Sequence, residues 1–209
     1  MKTANLFLIS APSGTGKSTL INSVLDRASK SRFPLELSIS YTTRMPRMGE
    51  TDSNHYFFVS PEEFSAKKEA NFFLEYAEVH GNWYGTSIEF VQSKLDAGIS
   101  LILEIDVQGY RQINNLSLEY ESIFILPPSM QSLEDRIKNR GDDDISSINL
   151  RLDNARNELI CANEYKNIII NESFDEASET LYQIIAQEKA IIQPNMQELQ
   201  QFLAQLLSS

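Results

Sequence analysis

A chain of 209 residues with 42% hydrophobic side chains is long enough for one substantial core with small insertions hung on it. Its formal charge of -11 and pI near 4.7 disfavour a protein that tracks a nucleic-acid backbone, because that work needs a basic face. One cysteine, Cys161, and two histidines, His55 and His80, exclude an internal disulfide and cannot assemble a zinc-type cluster, so Cys161 is expected to be buried and inert. No apolar run reaches the length of a signal-peptide core with its cleavage site or of a bilayer span, which points to the cytoplasm and to no membrane partner.

In chain order, NLFLIS is a short apolar run, followed by a glycine-bearing loop and then by a helical pattern in which Leu20, Ile21, Val24 and Leu25 share a face. Ser60-Pro61-Glu62-Glu63 reads as a helix start, with a cap, a first-turn proline and a carboxylate at the third position. A helix beginning near Ser87 is closed by Gly98, and a second strand, SLILEID, runs from Ser100 to Asp106. A third strand, SIFIL, stops at Pro127 and Pro128, and a fourth, KNIII, spans Lys166 to Ile170. Short apolar strands alternating with helices predict an α/β protein whose parallel sheet is flanked by helices.

Two segments interrupt that alternation. Residues from about Leu37 to Ile88 are aromatic and polar with strand-like alternation and read as an inserted subdomain; residues from about Gln131 to Cys161 are helical in pattern but broken by the polar run Arg140 to Asp144, which reads as a flap. After Gln193, Asn195 and Glu198 form a capping pair ahead of Met196, Leu199, Phe202, Leu203, Leu206 and Leu207 on one helical face. That face serves either core packing or self-association into a homo-oligomer.

The loop Ala11-Pro12-Ser13-Gly14-Thr15-Gly16-Lys17-Ser18-Thr19 nearly spells the phosphate-binding pattern G-x-x-x-x-G-K-[ST], with Ala11 at the first glycine. Such a loop aims backbone N–H groups and a helix N-terminus at an anion, while its lysine adds charge and its hydroxyl holds Mg2+. Ala11 is compatible if its φ is negative, because only a left-handed backbone would penalise an L-residue there. The loop alone does not choose between GTPase, ATPase and kinase. In the insertion, Arg44 and Arg47 stand three apart beside a proline, with Tyr56 and Tyr84 following; guanidinium forks and phenols suit a terminal monophosphate, and a basic turn over an aromatic mini-core is the plainer alternative.

The series APSGTGKST, SISYTTRMPRMGE, HYFFV, FLEYAEVHGNWYGTS, LEIDVQG and RIKNRG, in this order from about Leu6 to Glu188, resembles the guanylate kinases. The resemblance implies a P-loop NTPase-type sheet forming the core at about 1–38, 90–130 and 162–190, a GMP-binding insertion at about 39–89, a helical lid at about 131–161 and a C-terminal helical tail at about 194–209. It implies small-molecule substrates, ATP bound by Ala11 to Thr19 with Arg136, Arg140 and Asn171, and GMP bound by Ser40, Arg44, Arg47, Tyr56, Glu75, Tyr84, Thr86, Glu104, Asp106 and Arg151. Lys17, Arg44, Arg140 and Arg151 would carry the catalytic charge, and Ser18 with Asp106, the latter through water, would handle the Mg2+ that accompanies ATP. Glu75 matters most for selectivity, because guanine presents adjacent N1–H and N2–H donors that one carboxylate accepts together and adenine offers no such pair.

The expected reaction moves the γ-phosphoryl of ATP to GMP, and to dGMP as well. Its rivals are a noncatalytic guanylate-kinase-like module that holds a phosphopeptide in the old nucleotide pocket and a kinase for another nucleoside monophosphate. Two departures from the family pattern stand out: Ser53 replaces a common glycine before Tyr56, and Ile170-Asn171-Glu172 replaces the usual V-N-D. They bear on the turn at Thr51 to Asn54 and on an adenine-side contact of Asn171.

Overall fold

The computed structural model describes residues 4–79, 81–139, 145–187 and 195–208; His80 and the run from Arg140 to Asp144 lie outside them. The elements are β1 (Leu6–Ser10), α1 (Lys17–Ser31), β2 (Leu35–Leu37), β3 (Tyr41–Thr42), β4 (Phe57–Phe58), α2 (Pro61–Glu69), β5 (Phe73–Val79), β6 (Asn82–Ser87), α3 (Ile88–Asp96), β7 (Ser100–Glu104), α4 (Val107–Asn114), β8 (Glu121–Leu126), α5 (Met130–Lys138), α6 (Ile145–Leu159), a 3-10 helix (Ile160–Glu164), β9 (Asn167–Ile170), α7 (Phe174–Ala186) and α8 (Met196–Ser208).

A five-stranded parallel sheet runs in the order β2-β7-β1-β8-β9, and a four-stranded sheet in the order β4-β3-β6-β5. Every residue of β1 is buried, as are Ser100 to Leu103 of β7 and Ser122 to Leu126 of β8. Burial on both faces is why these strands are continuous apolar runs instead of alternating ones. β7 ends at Glu104, short of the expected Asp106, because Asp106 is taken by the next helix: its side chain accepts from Gly109 N at 2.8 Å and caps α4.

Contacts divide the chain into two compact units. One comprises the chain up to Leu8 and Pro34–Tyr120. Here Ser60 Oγ caps α2 by accepting from Glu63 N at 3.1 Å, Ser87 Oγ caps α3 by accepting from Phe90 N at 3.2 Å, and Gly98 follows α3 with a φ of 78°. The small sheet rests on rings: Phe64 stacks on Phe73 with centroids 4.5 Å apart, and Tyr41 on Phe57 at 4.7 Å.

The other unit comprises Ile9–Phe33 and the chain from Glu121 on. Ser23 and Ser178 join α1 to α7 by a 2.7 Å hydrogen bond, and α5 packs against α6 with Leu133, Ile137, Leu152, Ala155 and Leu159 buried. The expected capping pair of α8 forms in both directions: Glu198 N donates to Asn195 Oδ1 at 2.9 Å and Asn195 N to Glu198 Oε2 at 3.0 Å. Leu199, Leu203 and Leu206 are buried, with α8 lying on the 3-10 helix, so this part of the apolar face packs within the chain. Cys161, expected buried, is half-buried and reaches toward Asn157 O at 3.5 Å. Among the described residues no helix is long and apolar enough to cross a membrane.

Candidate active site

The phosphate loop is built from the inside. β1 ends at Ser10, and Thr15, fully buried, turns back on the loop by donating its N–H and Oγ1 to Pro12 O at 3.2 and 2.7 Å. Gly14 and Gly16 have φ values of 91° and 95°, the left-handed region that favours glycine, whereas Ala11 is not among the residues with positive φ. The alanine therefore costs the loop nothing. α1 starts at Lys17 with Gly16 as its N-cap and no side-chain cap. Lys17 is half-buried, and Ser18 and Thr19 are exposed.

Two expected ATP-side residues, Asn171 and Arg136, and the expected catalytic Arg151 converge on this loop. Thr15 O accepts from Asn171 Nδ2 at 2.7 Å and from Arg136 Nη1 at 3.1 Å, and Arg136 Nη2 donates to Asn171 O at 3.3 Å. Arg151 Nη2 donates to Ser13 Oγ at 2.7 Å. Asn171 is 5% exposed, and a Cβ added to Gly16 would stand 2.7 Å from its Nδ2, so the loop and β9 are fitted together at this point. Arg140 falls outside the described residues.

The other unit gathers the expected guanine-reading residues. Thr86 Oγ1 donates to Glu75 Oε1 at 2.6 Å, and Ser40 Oγ lies 3.4 Å from Thr86 Oγ1. The β5–β6 register that places Glu75 opposite Thr86 follows an irregularity between Phe73 and Glu75. Glu75 is 5% exposed; burial pushes its carboxyl up to about 7, with Thr86 pulling the other way and the Asp106 charge adding to the rise. Asp106 is half-buried, with Oδ2 accepting from Gln108 Nε2 at 3.2 Å, and Glu104 is exposed at the end of β7.

The expected monophosphate donors also come together. Arg44 lies over the Tyr56 ring at 5.4 Å, and Tyr56 and Tyr84 meet edge to face with centroids 5.9 Å apart. Burial, then the Glu104 charge, raises the Tyr56 phenol above its ordinary range, so it remains a donor at neutral pH. Arg47 occupies the adjacent turn with its side chain exposed.

Sequence reasoning assigned no role to Glu50, which organises this turn. Its Oε1 pairs with Arg44 Nη2 at 2.9 Å and its Oε2 accepts from Arg47 N at 2.7 Å. The Arg44 hydrogen bond, then that backbone N–H, draws the Glu50 carboxyl down to about 2. A carboxylate three residues after Arg47, within one turn, was the available signal. Taken each within its own unit, the Ser18 hydroxyl and the Asp106 carboxylate are hard oxygen donors of the kind that suits Mg2+.

A guanylate kinase family model matches residues 3–188. The guanylate kinase of Hahella chejuensis is 43% identical over 209 residues, covering 100% of this chain and 99% of its relative. The Histophilus somni guanylate kinase is 46% identical over 189 residues, covering 90% of each chain. Among solved structures, that of guanylate kinase from Anaplasma phagocytophilum aligns with a TM-score of 0.70 at 29% identity, covering 95% of this chain and 94% of that one. With that family model matching residues 3–188 and relatives at 43% and 46% identity over 100% and 90% of its length, the chain belongs to the guanylate kinase family.

Proposed function

We infer that this protein transfers the γ-phosphoryl group of ATP to GMP, giving ADP and GDP, with dGMP accepted at the same pocket and the reaction run in the cytoplasm. The observation that carries the reading is the Ser40–Thr86–Glu75 cluster. A carboxylate only 5% exposed and held by one threonine has an acceptor face suited to the paired N1–H and N2–H of guanine. AMP would leave that acceptor unmatched.

In this reading the GMP phosphate is held by Arg44, Arg47, Tyr56 and Tyr84, with Glu104 and Asp106 orienting the nucleotide. Lys17, Arg136, Arg140 and Arg151 face the charge of the transferring group, and Asn171 serves the adenine side while its Nδ2 braces the loop. Ser18, and Asp106 through water, would hold Mg2+, which would supply charge neutralisation at the ATP phosphates. No side chain becomes phosphorylated: the attacking group is a GMP phosphate oxygen, and the protein contributes alignment, charge and exclusion of water.

The test is coupled ADP release with Mg-ATP and, in parallel, GMP, dGMP, AMP, UMP, dTMP or no acceptor. Rapid release with GMP, or with GMP and dGMP, is expected. Absence of release with every acceptor, from folded protein that still binds GMP, would overturn the kinase reading in favour of a binding module.

A further inference from the structure

Gly109 sits in the first turn of α4, directly against Glu75. A Cβ added there would stand 2.5 Å from Glu75 Oε2, 3.2 Å from its Cδ and 3.4 Å from Asp106 Oδ1. Gly109 is not among the glycines with positive φ, so its backbone makes no demand for glycine. Within a helix glycine is normally a cost relative to alanine. Space, and not conformation, is what the missing side chain supplies.

Neither neighbour can step aside easily. The Glu75 carboxylate is buried, and its Oε1 is held by Thr86 Oγ1 at 2.6 Å. α4 is tied to β5 one residue beyond Glu75, where Gln112 Nε2 donates to Tyr76 O at 2.6 Å and Tyr76 N donates to Gln112 Oε1 at 3.1 Å. Gly109 N is meanwhile committed to the Asp106 cap at 2.8 Å. This two-way clamp sets the separation of helix and strand, and the bare Cα of Gly109 sets where the second carboxylate oxygen stands.

We propose that Gly109 is a positioning residue for base selection, its missing side chain leaving Glu75 Oε2 where it meets the second guanine donor, with the Gln112–Tyr76 clamp holding α4 at the required distance. The inference rests on the reading of Glu75 as the guanine acceptor.

Steady-state rates with GMP and with IMP, the same nucleotide lacking the 2-amino donor, are to be compared in the parent, Gly109→Ala, Glu75→Ala and the double variant, with thermal melting alongside. Gly109→Ala is expected to raise the KM for GMP by about tenfold with a smaller change in kcat, and to shrink the GMP-over-IMP preference. In the Glu75→Ala background the same substitution is expected to add nothing, because the methyl group enters space the carboxylate has left. A parent-like preference in Gly109→Ala, or an equal drop in both backgrounds, would overturn the proposal. If Glu75→Ala itself leaves the preference unchanged, the guanine reading of Glu75 fails and takes the proposal with it, an outcome distinct from failure of Gly109 alone. Should Gly109→Ala not fold, the double variant is still expected to fold, since the collision is gone; a double variant that also fails would count against the mechanism.

Discussion

The phosphate loop and the guanine cluster handle buried polar groups in opposite ways. In the loop, the carbonyl of Thr15 receives donors from both Asn171 and Arg136, and Ser13 is held by Arg151. In the guanine cluster, among the described residues only Thr86 donates to the buried Glu75 carboxylate. One region is satisfied within the chain; the other keeps a buried acceptor whose ionisation is costly, a cost that guanine N–H groups would offset in the proposed reading. Substitutions in the first should damage rate and rigidity, and substitutions in the second should change selectivity and response to pH.

Lys17 provides the largest test of that contrast. Lys17→Met removes a charge that neutralises the transferring phosphoryl in the proposed reaction, and kcat should fall by at least about 10^3-fold. GMP affinity, measured by calorimetry, should stay within about twofold, since the change lies in the other unit; such a split requires comparing binding and turnover on the same preparation. Turnover near the parent's would remove Lys17 from the catalytic assignment.

Glu75 gives the next largest effect through pH. Burial pushes its carboxyl in the folded chain up to about 7, from the 4.5 of an exposed glutamate. Between those values the folded state binds more protons than the unfolded, so stability falls as pH rises. The contribution is fully present below about pH 4.5 and lost as pH passes through about 7, with an upper size of about 3 kcal/mol. Thermal melts of unliganded protein from pH 5 to 8 should therefore show a downward slope that Glu75→Gln flattens. GMP binding should run the other way, weakening below about pH 7 because protonation of Glu75 removes an acceptor. Equal slopes in parent and variant would refute the buried, ionising role.

Asn171→Ala acts on the satisfied region and should do less. It deprives Thr15 O of one of two donors, while Arg136 remains. A stability loss of about 1–2 kcal/mol and a raised KM for ATP, with the KM for GMP unchanged, are expected. An increase confined to the KM for GMP would assign Asn171 to the wrong side.

The same contrast explains what could be read from the sequence. The phosphate loop occupies consecutive residues, so its pattern was visible directly, including the harmless alanine at position 11, and its strand and helix were announced by apolar runs. The supports behind it were not legible from spacing, because Thr15, Arg136 and Asn171 meet only once β9 and α5 have packed. The guanine cluster draws on Ser40, Glu75 and Thr86, residues with no mutual periodicity, and only the resemblance to a known family singled them out. Glu50 and Gly109 escaped notice for different reasons. A carboxylate near two arginines also reads as a solvated turn, and a helical glycine gives no sign that the space beside it is filled by another residue's carboxylate.

The smallest expected effect lies in the turn leading to Tyr56. Ser53, where the family commonly has glycine, has a φ of 61°, a left-handed conformation that an L-residue enters at a cost of about 1 kcal/mol. The turn keeps its shape through backbone and aspartate contacts: Ser53 N donates to Tyr56 O at 2.9 Å, and Asp52 Oδ1 accepts from Phe58 N at 2.9 Å. Ser53 Oγ adds only an exposed bond to Asp52 Oδ2 at 2.7 Å. Ser53→Gly should therefore stabilise by about 0.5–1 kcal/mol, the relief of strain exceeding the lost hydroxyl and the added flexibility of the unfolded chain. Ser53→Ala loses the hydroxyl but keeps the strain, and should melt no higher than the parent. The KM for GMP should stay at the parent's value in both, because the hydrogen bonds that fix Tyr56 come from backbone and Asp52. A Ser53→Gly variant that melts below Ser53→Ala would mean that the freedom gained by the unfolded chain outweighs the strain removed from the turn.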